Sequence, residues 1–541
     1  MDSIHAQLAT VIVLLLAVTL LSLAATRVHL PYPTVMVLGG LAICFIPHLP
    51  VVHLDPQAIF LLFLPPLLYA AAWYTSWRDF RANLRPIALL AIGFVLFTTL
   101  AVGAVAHALI PGMPWAAAFT LGAIISPPDA VAATAIANRL GIPRRIITIL
   151  EGESLLNDAT GLTIYKFALV AASTGAFSLL SASGVFLFSS VGGVLLGLLI
   201  GLGVVRLHML LDDPVVETVF TLLTPFATYL IAEMIGVSGV LAVVVAGLYV
   251  SRRSSRLFSS RTRLTAVAVW KILIFLLNGL VFVLIGLQLR FILSQSSGDS
   301  MPQRIGYALL LCLVMVIVRI LWVFPASYLP RWLIPGLARR DPSPPWQSVF
   351  LIAFAGMRGV DSLAAALAIP VLTAAGTPFP RRGLIIFLTF AVILFTLVVQ
   401  SLSLPWLIRA LGLQSDEDSP CQENEARLRV ARAALRRLEE LSGDPDLDPP
   451  TVEHLRRYYD DRLKMLNQRC ELPPEEGRQK SDKTIDYYER ADLLHRDLIN
   501  AEREHLLELR SRGNITDEAF RRVERDLDLE EQRFSANPAD A

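Results

Sequence analysis

Gly152-Glu153-Ser154-Leu155-Leu156-Asn157-Asp158 lies inside a mostly apolar run from Ile146 to Ala172. The run is about twenty-seven residues, enough to cross a bilayer as a helix. A charged side chain at bilayer depth is costly unless something compensates it, so intramembrane acids mark ion pathways. Ser154 and Asp158 are four apart and share a helix face, with Glu151 one turn earlier on that side. At about 1.5 Å per residue the rise from Ile146 to Asp158 is roughly 18 Å, which puts Asp158 near mid-membrane. An acid there, beside hydroxyl and amide oxygens, holds either a proton or a small cation.

The rest of the chain has two unlike parts. Residues 1–412 carry 25 Lys+Arg against 14 Asp+Glu, a net of +11, while residues 413–541 carry 22 against 32, a net of −10. The first part reads as a polytopic membrane domain and the second as an acidic soluble domain. Of the four cysteines, Cys44 and Cys312 fall in apolar spans and Cys421 and Cys470 in the tail, with no metal spacing or disulfide framework. The first apolar stretch follows no basic segment and no clear cleavage site, so it reads as a retained helix rather than a signal peptide.

Apolar spans recur at 8–26, 31–49, 56–75, 86–110, 115–138, 146–172, 183–208, 215–234, 237–251, 266–293, 304–330, 347–372 and 383–408. Thirteen is odd, so the termini are expected on opposite sides. With the tail inside, the inner loops hold seventeen arginines and the outer loops four: Arg290, Arg304, Arg381 and Arg382. The positive-inside bias therefore predicts the N-terminus outside and the tail cytoplasmic.

The fifth span is interrupted by Ile125-Ser126-Pro127-Pro128-Asp129-Ala130-Val131, where two prolines remove backbone donors. The twelfth is interrupted by Ala355-Gly356-Met357-Arg358-Gly359-Val360-Asp361. Broken backbone at that depth must line a cavity or be buried in protein. The two breaks occupy equivalent places in six-span units, 1–6 and 8–13, that enter from opposite sides. The expectation is an inverted repeat with its binding site at paired broken helices.

Each charged group has an assignable role. Asp158 is the candidate cation and proton carrier, and Asp129 either caps freed amides and bonds Asn157 or touches the ion. Glu153 points about 100° from Ser154 and needs a partner; Arg319 is the first choice and Arg358 the second. Arg358 has a local alternative in Asp361, three residues on, or it offsets half-helix dipoles. Lys166 and Lys271 are expected to snorkel, and Glu233 to be solvated or capping. Gly193, Gly197 and Gly201 form a stripe for close packing, within the chain or across a dimer. Ser173 through Ser183 reads as an outer loop.

Taken together, these residues resemble the monovalent cation:proton antiporters of the sodium/proton exchanger superfamily, in the branch with Asn-Asp at the site. Gly152–Asp158 carries the most specific match. The broken segment at 125–131, Ser238-Gly239-Val240-Leu241-Ala242, Leu277-Asn278-Gly279-Leu280-Val281-Phe282 and Gly356-Met357-Arg358-Gly359 follow in order. The resemblance covers about residues 8–411. It implies an elevator-like core moving against a dimerisation domain, a homodimer, and electroneutral exchange of one Na+ (or Li+) for H+ at Asp158. Ser154 and the backbone oxygen of Pro128 would help hold the ion, Asn157 and Asp129 would hold the crossing, and Glu153 with an arginine would brace the core. Pro128, Ala130 and the acid at Asp361 depart from the family pattern, as do Ala70-Ala71-Ala72, which lack an acid some relatives carry.

The tail reads as four amphipathic helices near 423–442, 450–470, 484–511 and 516–534, from leucines at helical spacing and Pro and Gly punctuation. No nucleotide or ligand motif occurs in it, and its acidity would suit docking on the basic inner loops, especially 252–263.

The expectation is thus a multi-pass protein of the plasma (inner) membrane, not an enzyme, exchanging Na+ for H+ in cation and pH homeostasis. Na+ and H+ are substrates rather than cofactors, and the bilayer, not nucleic acid, is the other partner. The rival reading is K+/H+ exchange on the same fold. An intramembrane aspartyl protease using Asp129 and Asp158 lacks the Gly-x-Gly-Asp signature, and a primary pump lacks a Walker-type loop.

Overall fold

The computed structural model describes the chain except for residues 1, 29, 47–55, 175–178, 295–298, 335, 337–338, 340, 374–375, 414–417, 443–448, 471–497, 510–511, 513–522, 525, 528 and 530–541. The described residues are helical or irregular, with two isolated backbone bridges, Asp129 with Met357 and Leu372 with Pro378. The chain divides into two units, Met1–Asp416 and Glu417–Ala541.

Helix occupies each of the thirteen apolar stretches in the first unit. Among the described residues seven helices are long and apolar enough to cross a membrane: Ala9–Val28, Leu84–Leu109, Ala182–His208, Pro214–Ile235, Ser260–Ser294, Met301–Leu333 and Arg382–Ala410. Shorter apolar helices include Tyr32–Cys44, Ile59–Tyr74, Trp115–Ile125 and Gly239–Ser251. The helix Arg144–Thr174 has ample length but carries Glu151, Glu153, Asp158 and Lys166, too polar a set for a simple lipid span. The expected outer loop at 173–183 is shorter than the composition implied. Helix runs to Thr174 and resumes at Leu179, because Leu179, Leu180 and Val185 extend the apolar run among the small residues.

Both interrupted spans are split. Trp115–Ile125 is followed, after the two prolines, by Val131–Leu140, which Gly141 closes at φ 63°. Trp346–Phe354 is followed by Val360–Leu367. Neither eleven nor nine residues of helix spans a bilayer, so each pair does the work of one span.

Close approach depends on missing side chains. A Cβ on Gly193 would meet the carbonyl of Ser238, one on Gly197 the carbonyl of Ala242, and one on Gly201 the ring of Tyr249. The glycine stripe therefore packs inside the chain, on the Gly239–Ser251 helix, where interhelical contact rests on small residues.

In the second unit Asp418–Leu441 and Pro449–Cys470 pair, burying Leu428, Ala431 and Leu466. A small cluster of Ile499, Leu506 and Leu527 follows. The rest of the third and fourth expected tail helices, with Leu493 and Leu494, lies outside the described residues.

Candidate functional site

The two broken segments cross and join through backbone. The amide of Asp129 donates to the carbonyl of Met357 at 2.7 Å. Gly359 lies against the Asp129 carboxylate so closely that a Cβ would collide with it. The opposite carboxylate oxygen, Oδ1, accepts from the amide of Val131 at 2.8 Å, so Asp129 caps the second half-helix.

The Arg144–Thr174 helix packs beside this crossing. Asn157 Nδ2 donates to the carbonyl of Pro128 at 2.6 Å, and the amide of Ala130 donates to Ser154 Oγ at 3.3 Å. The expected Asn157–Asp129 bond is therefore not the one formed: the helix N-terminus claims Asp129, and the carbonyl freed ahead of it claims Asn157. Ser154 also serves the joint, and the Pro128 carbonyl offers an ion only its second lone pair.

Asp158 differs from its neighbours. Its residue is 7% exposed, yet its carboxylate makes no hydrogen bond or ion pair among the described residues. Its electrostatic neighbours are Asp361 and Asp129. Glu151 is half-buried and is not among them.

Glu153 points the other way on the helix. Arg319 donates to both its oxygens, at 2.7 Å each, and Nε and Nη2 of the same guanidinium donate to the carbonyl of Ile352 at 3.3 and 3.2 Å. Both side chains are almost fully buried. Gly356 lies against this guanidinium, where a Cβ would not fit.

Arg358 pairs with neither Glu153 nor Asp361. Nε donates to Ile125 O at 2.8 Å, Nη2 to Ser126 O at 3.3 Å and Nη1 to Gly356 O. Those carbonyls end the half-helices Trp115–Ile125 and Trp346–Phe354, where backbone partial charge is negative, so the cation sits where two dipoles call for one. Spacing of three suggested Asp361, but the break removes the helical turn that would have joined them. Asp361 Oδ1 is buried with no hydrogen-bond partner.

Two features had no clear sequence signal. The amide of Arg358 donates to Thr396 Oγ1 at 3.0 Å, where the helix loosens into the π-turn Thr396–Gln400. Asp341, in the loop after Met301–Leu333, takes Arg145 and Arg331 at 2.7 Å and Arg85 at 3.0 Å. Burial would raise its carboxyl, but the three guanidiniums hold it below the ordinary range. An acid in a basic loop, Arg339-Arg340-Asp341, was the available hint.

Lys166 and Glu233 line a cavity of 540 Å³ that reaches Ala159, next to Asp158, with Gln57, Tyr165 and Tyr229. Lys166 and Lys271 are exposed. Among the described residues no three His, Cys, Asp or Glu side chains are placed to hold a metal ion together.

Residues 11–410 match the family model described as "Sodium/hydrogen exchanger, transmembrane". An uncharacterized Na+/H+ exchanger of Mycobacterium tuberculosis is 35% identical over 547 residues, spanning 100% of this chain and 98% of its own. A sodium, potassium, lithium and rubidium/H+ antiporter of Bacillus subtilis is 40% identical over 413 residues, 73% of this chain and 61% of its own. Among solved structures, the sodium proton antiporter of Methanocaldococcus jannaschii at pH 8 superposes with a TM-score of 0.61 at 20% identity, covering 76% of this chain and 99% of that one, which shows a shared fold. The chain is a multi-pass membrane protein of a family of transporters, not enzymes, and it belongs to the sodium/hydrogen exchangers.

Proposed function

We propose that this chain exchanges Na+ for H+ at Asp158 by alternating access. The observation that carries the reading is the Asp158 carboxylate itself: 7% exposed, without a hydrogen-bond or ion-pair partner among the described residues, on a helix packed against the two broken ones. An unpaired carboxylate in so dry a place is stable only when a proton or a cation neutralises it. The two occupants exclude each other, and that competition couples their movements. Ser154 Oγ and the free lone pair of the Pro128 carbonyl are hard oxygens suited to Na+ or Li+, while Asn157, Asp129, Arg358 and the Glu153–Arg319 pair hold the surrounding joint.

The same reading places the protein in the inner membrane, N-terminus outside and tail cytoplasmic, supported by the arginine bias of its loops. It includes one-for-one exchange, inverted repeats and a homodimer, supported by the Asn-Asp pair, the paired breaks and the family fold. K+ is the second candidate substrate, favoured by the Bacillus subtilis antiporter named for sodium, potassium, lithium and rubidium.

Purified protein in liposomes carrying a trapped pH dye tests it. Addition of Na+ should move protons in the wild type and not in Asp158→Asn. Proton movement retained in that variant overturns the assignment. Equal half-saturation by K+ and Na+ would instead establish the broader cation range.

A further inference from the structure

Three arginines meet one acid where three long helices end. Arg85 stands at the start of Leu84–Leu109, Arg145 at the start of Arg144–Thr174 and Arg331 at the end of Met301–Leu333. Asp341 Oδ2 accepts from Arg85 Nη2 at 3.0 Å and from Arg331 Nη2 at 2.7 Å, and Oδ1 accepts from Arg145 Nη2 at 2.7 Å. A guanidinium stays charged in proteins, so three cations around one carboxylate leave two positive charges over. Asp341 is the only acid paired with them among the described residues. Arg145 Nε is spent on Asn83 Oδ1, and Nε and Nη1 of Arg331 on the carbonyls of Asp341 and Ser327. Arg85 differs. The residue is partly exposed, but its Nε and Nη1 are buried atoms with no hydrogen-bond partner among the described residues. Buried donors are paired with few exceptions, so two on one cation call for an anionic acceptor.

Two cavities adjoin this cluster. One, of 380 Å³, is lined by Arg145, Arg331 and Pro86, the residue after Arg85. The other, of 620 Å³, is a groove along Met301–Leu333 lined by Phe324, Pro325, Leu329 and Trp332. Arg331 and Ser343 line both, so a basic pocket opens beside an apolar groove. Leu329 and Trp332 are exposed, on a helix long and apolar enough to cross a membrane. A tryptophan at the end of such a helix sits at headgroup depth. We propose that this place binds an anionic phospholipid, its phosphate against Arg85 and Arg145 and one acyl chain along Leu329 and Trp332. Basic pockets between membrane helices take such headgroups. A zwitterionic lipid brings its own cation to a cluster that already carries two in excess, so charge selects the anionic one. A free phosphate would answer the arginines and leave the groove uncovered. The headgroup would brace the helix that carries Asp158 against the one that carries Arg319.

Thermal melts of the full chain, purified in detergent and stripped of lipid, test the site without any transport assay. A ligand that binds only the folded state raises the melting temperature by mass action. Dioleoyl phosphatidylglycerol should raise it by about 3 °C or more, and phosphatidylcholine with the same chains by much less. Inorganic phosphate at the same concentration should give no comparable shift. The reading is the difference between the two lipids within each protein, so a lower starting stability does not disturb it. Arg85→Gln should remove most of that difference, and Arg85→Lys should keep part of it. Where Arg85→Gln does not fold, Arg145→Gln gives the same reading, since the Arg145 side chain is 43% exposed. Leu329→Ser, in the groove, should reduce the shift as well. Equal shifts with the two lipids overturn the inference, as does a full difference retained in Arg85→Gln or, in its place, Arg145→Gln. A shift with inorganic phosphate as large as that with phosphatidylglycerol overturns the assignment to a lipid. None of these outcomes touches the assignment of exchange to Asp158, which Asp158→Asn tests by itself.

Discussion

Asn157 donates its amide to the carbonyl of Pro128 at 2.6 Å, and the carboxylate of Asp158, one residue on, has no hydrogen-bond or ion-pair partner among the described residues. Successive positions on one helix point about 100° apart, so the first can brace the broken helix while the second, though buried, points elsewhere. Replacement of Asn157 by Ala leaves a buried carbonyl unsatisfied, at about 1–3 kcal/mol. The expected result is a lower unfolding temperature in detergent together with slower exchange. Unchanged stability would mean that the bond does not hold the joint.

Glu153 and Arg319 form a doubly bonded pair in a nearly dry interior. Removing one partner strands the other's charge, typically at about 3–5 kcal/mol, whereas removing both leaves no such charge. Glu153→Gln and Arg319→Met should each destabilise the detergent-solubilised protein more than the double variant does. Thermal melts of the four proteins form the cycle, and additive losses would contradict it.

Gly359 is needed for space, since its φ of −111° is open to any residue. A Cβ there would strike the Asp129 carboxylate. Gly359→Ala should cost about 1–3 kcal/mol through overpacking and displace the cap of Val131–Leu140. Both transport rate and melting temperature should fall. Wild-type values for both would show that the crossing yields freely.

Asp341 ties Arg85, Arg145 and Arg331 together, and its carboxyl is held below the ordinary range. A carboxyl with a depressed folded value contributes stability that is present above its unfolded value and lost as pH falls through the folded one. The unfolded reference is about 3.9. The stability gap between wild type and Asp341→Asn should therefore be full at neutral pH and close as the pH drops below about 4. A gap that persists unchanged in acid would assign the effect to packing rather than charge.

Much of this was legible along the chain because its causes are local. Apolar length, two prolines at Pro127 and Pro128, and glycines at Gly356 and Gly359 mark spans and breaks without knowledge of neighbours. Helical angles alone separated Glu153 from the Ser154–Asp158 face. Choice among partners was not local. Arg358 could have answered Glu153, Asp361 or two helix ends, and only the crossing of the segments, which sets the Ile125, Ser126 and Gly356 carbonyls around it, decides.

The sequence by itself determined an intramembrane acid on a helix, two broken spans and a division into membrane and acidic parts, since hydropathy and backbone chemistry act residue by residue. Tertiary structure alone decided which polar groups are satisfied. Asp129 accepts from the Val131 amide, Asn157 is bonded to Pro128 and Glu153 is paired, while among the described residues the Asp158 carboxylate and Asp361 Oδ1 have no hydrogen-bond partner. Satisfaction depends on atoms brought together from distant parts of the chain, within hydrogen-bonding distance and away from water.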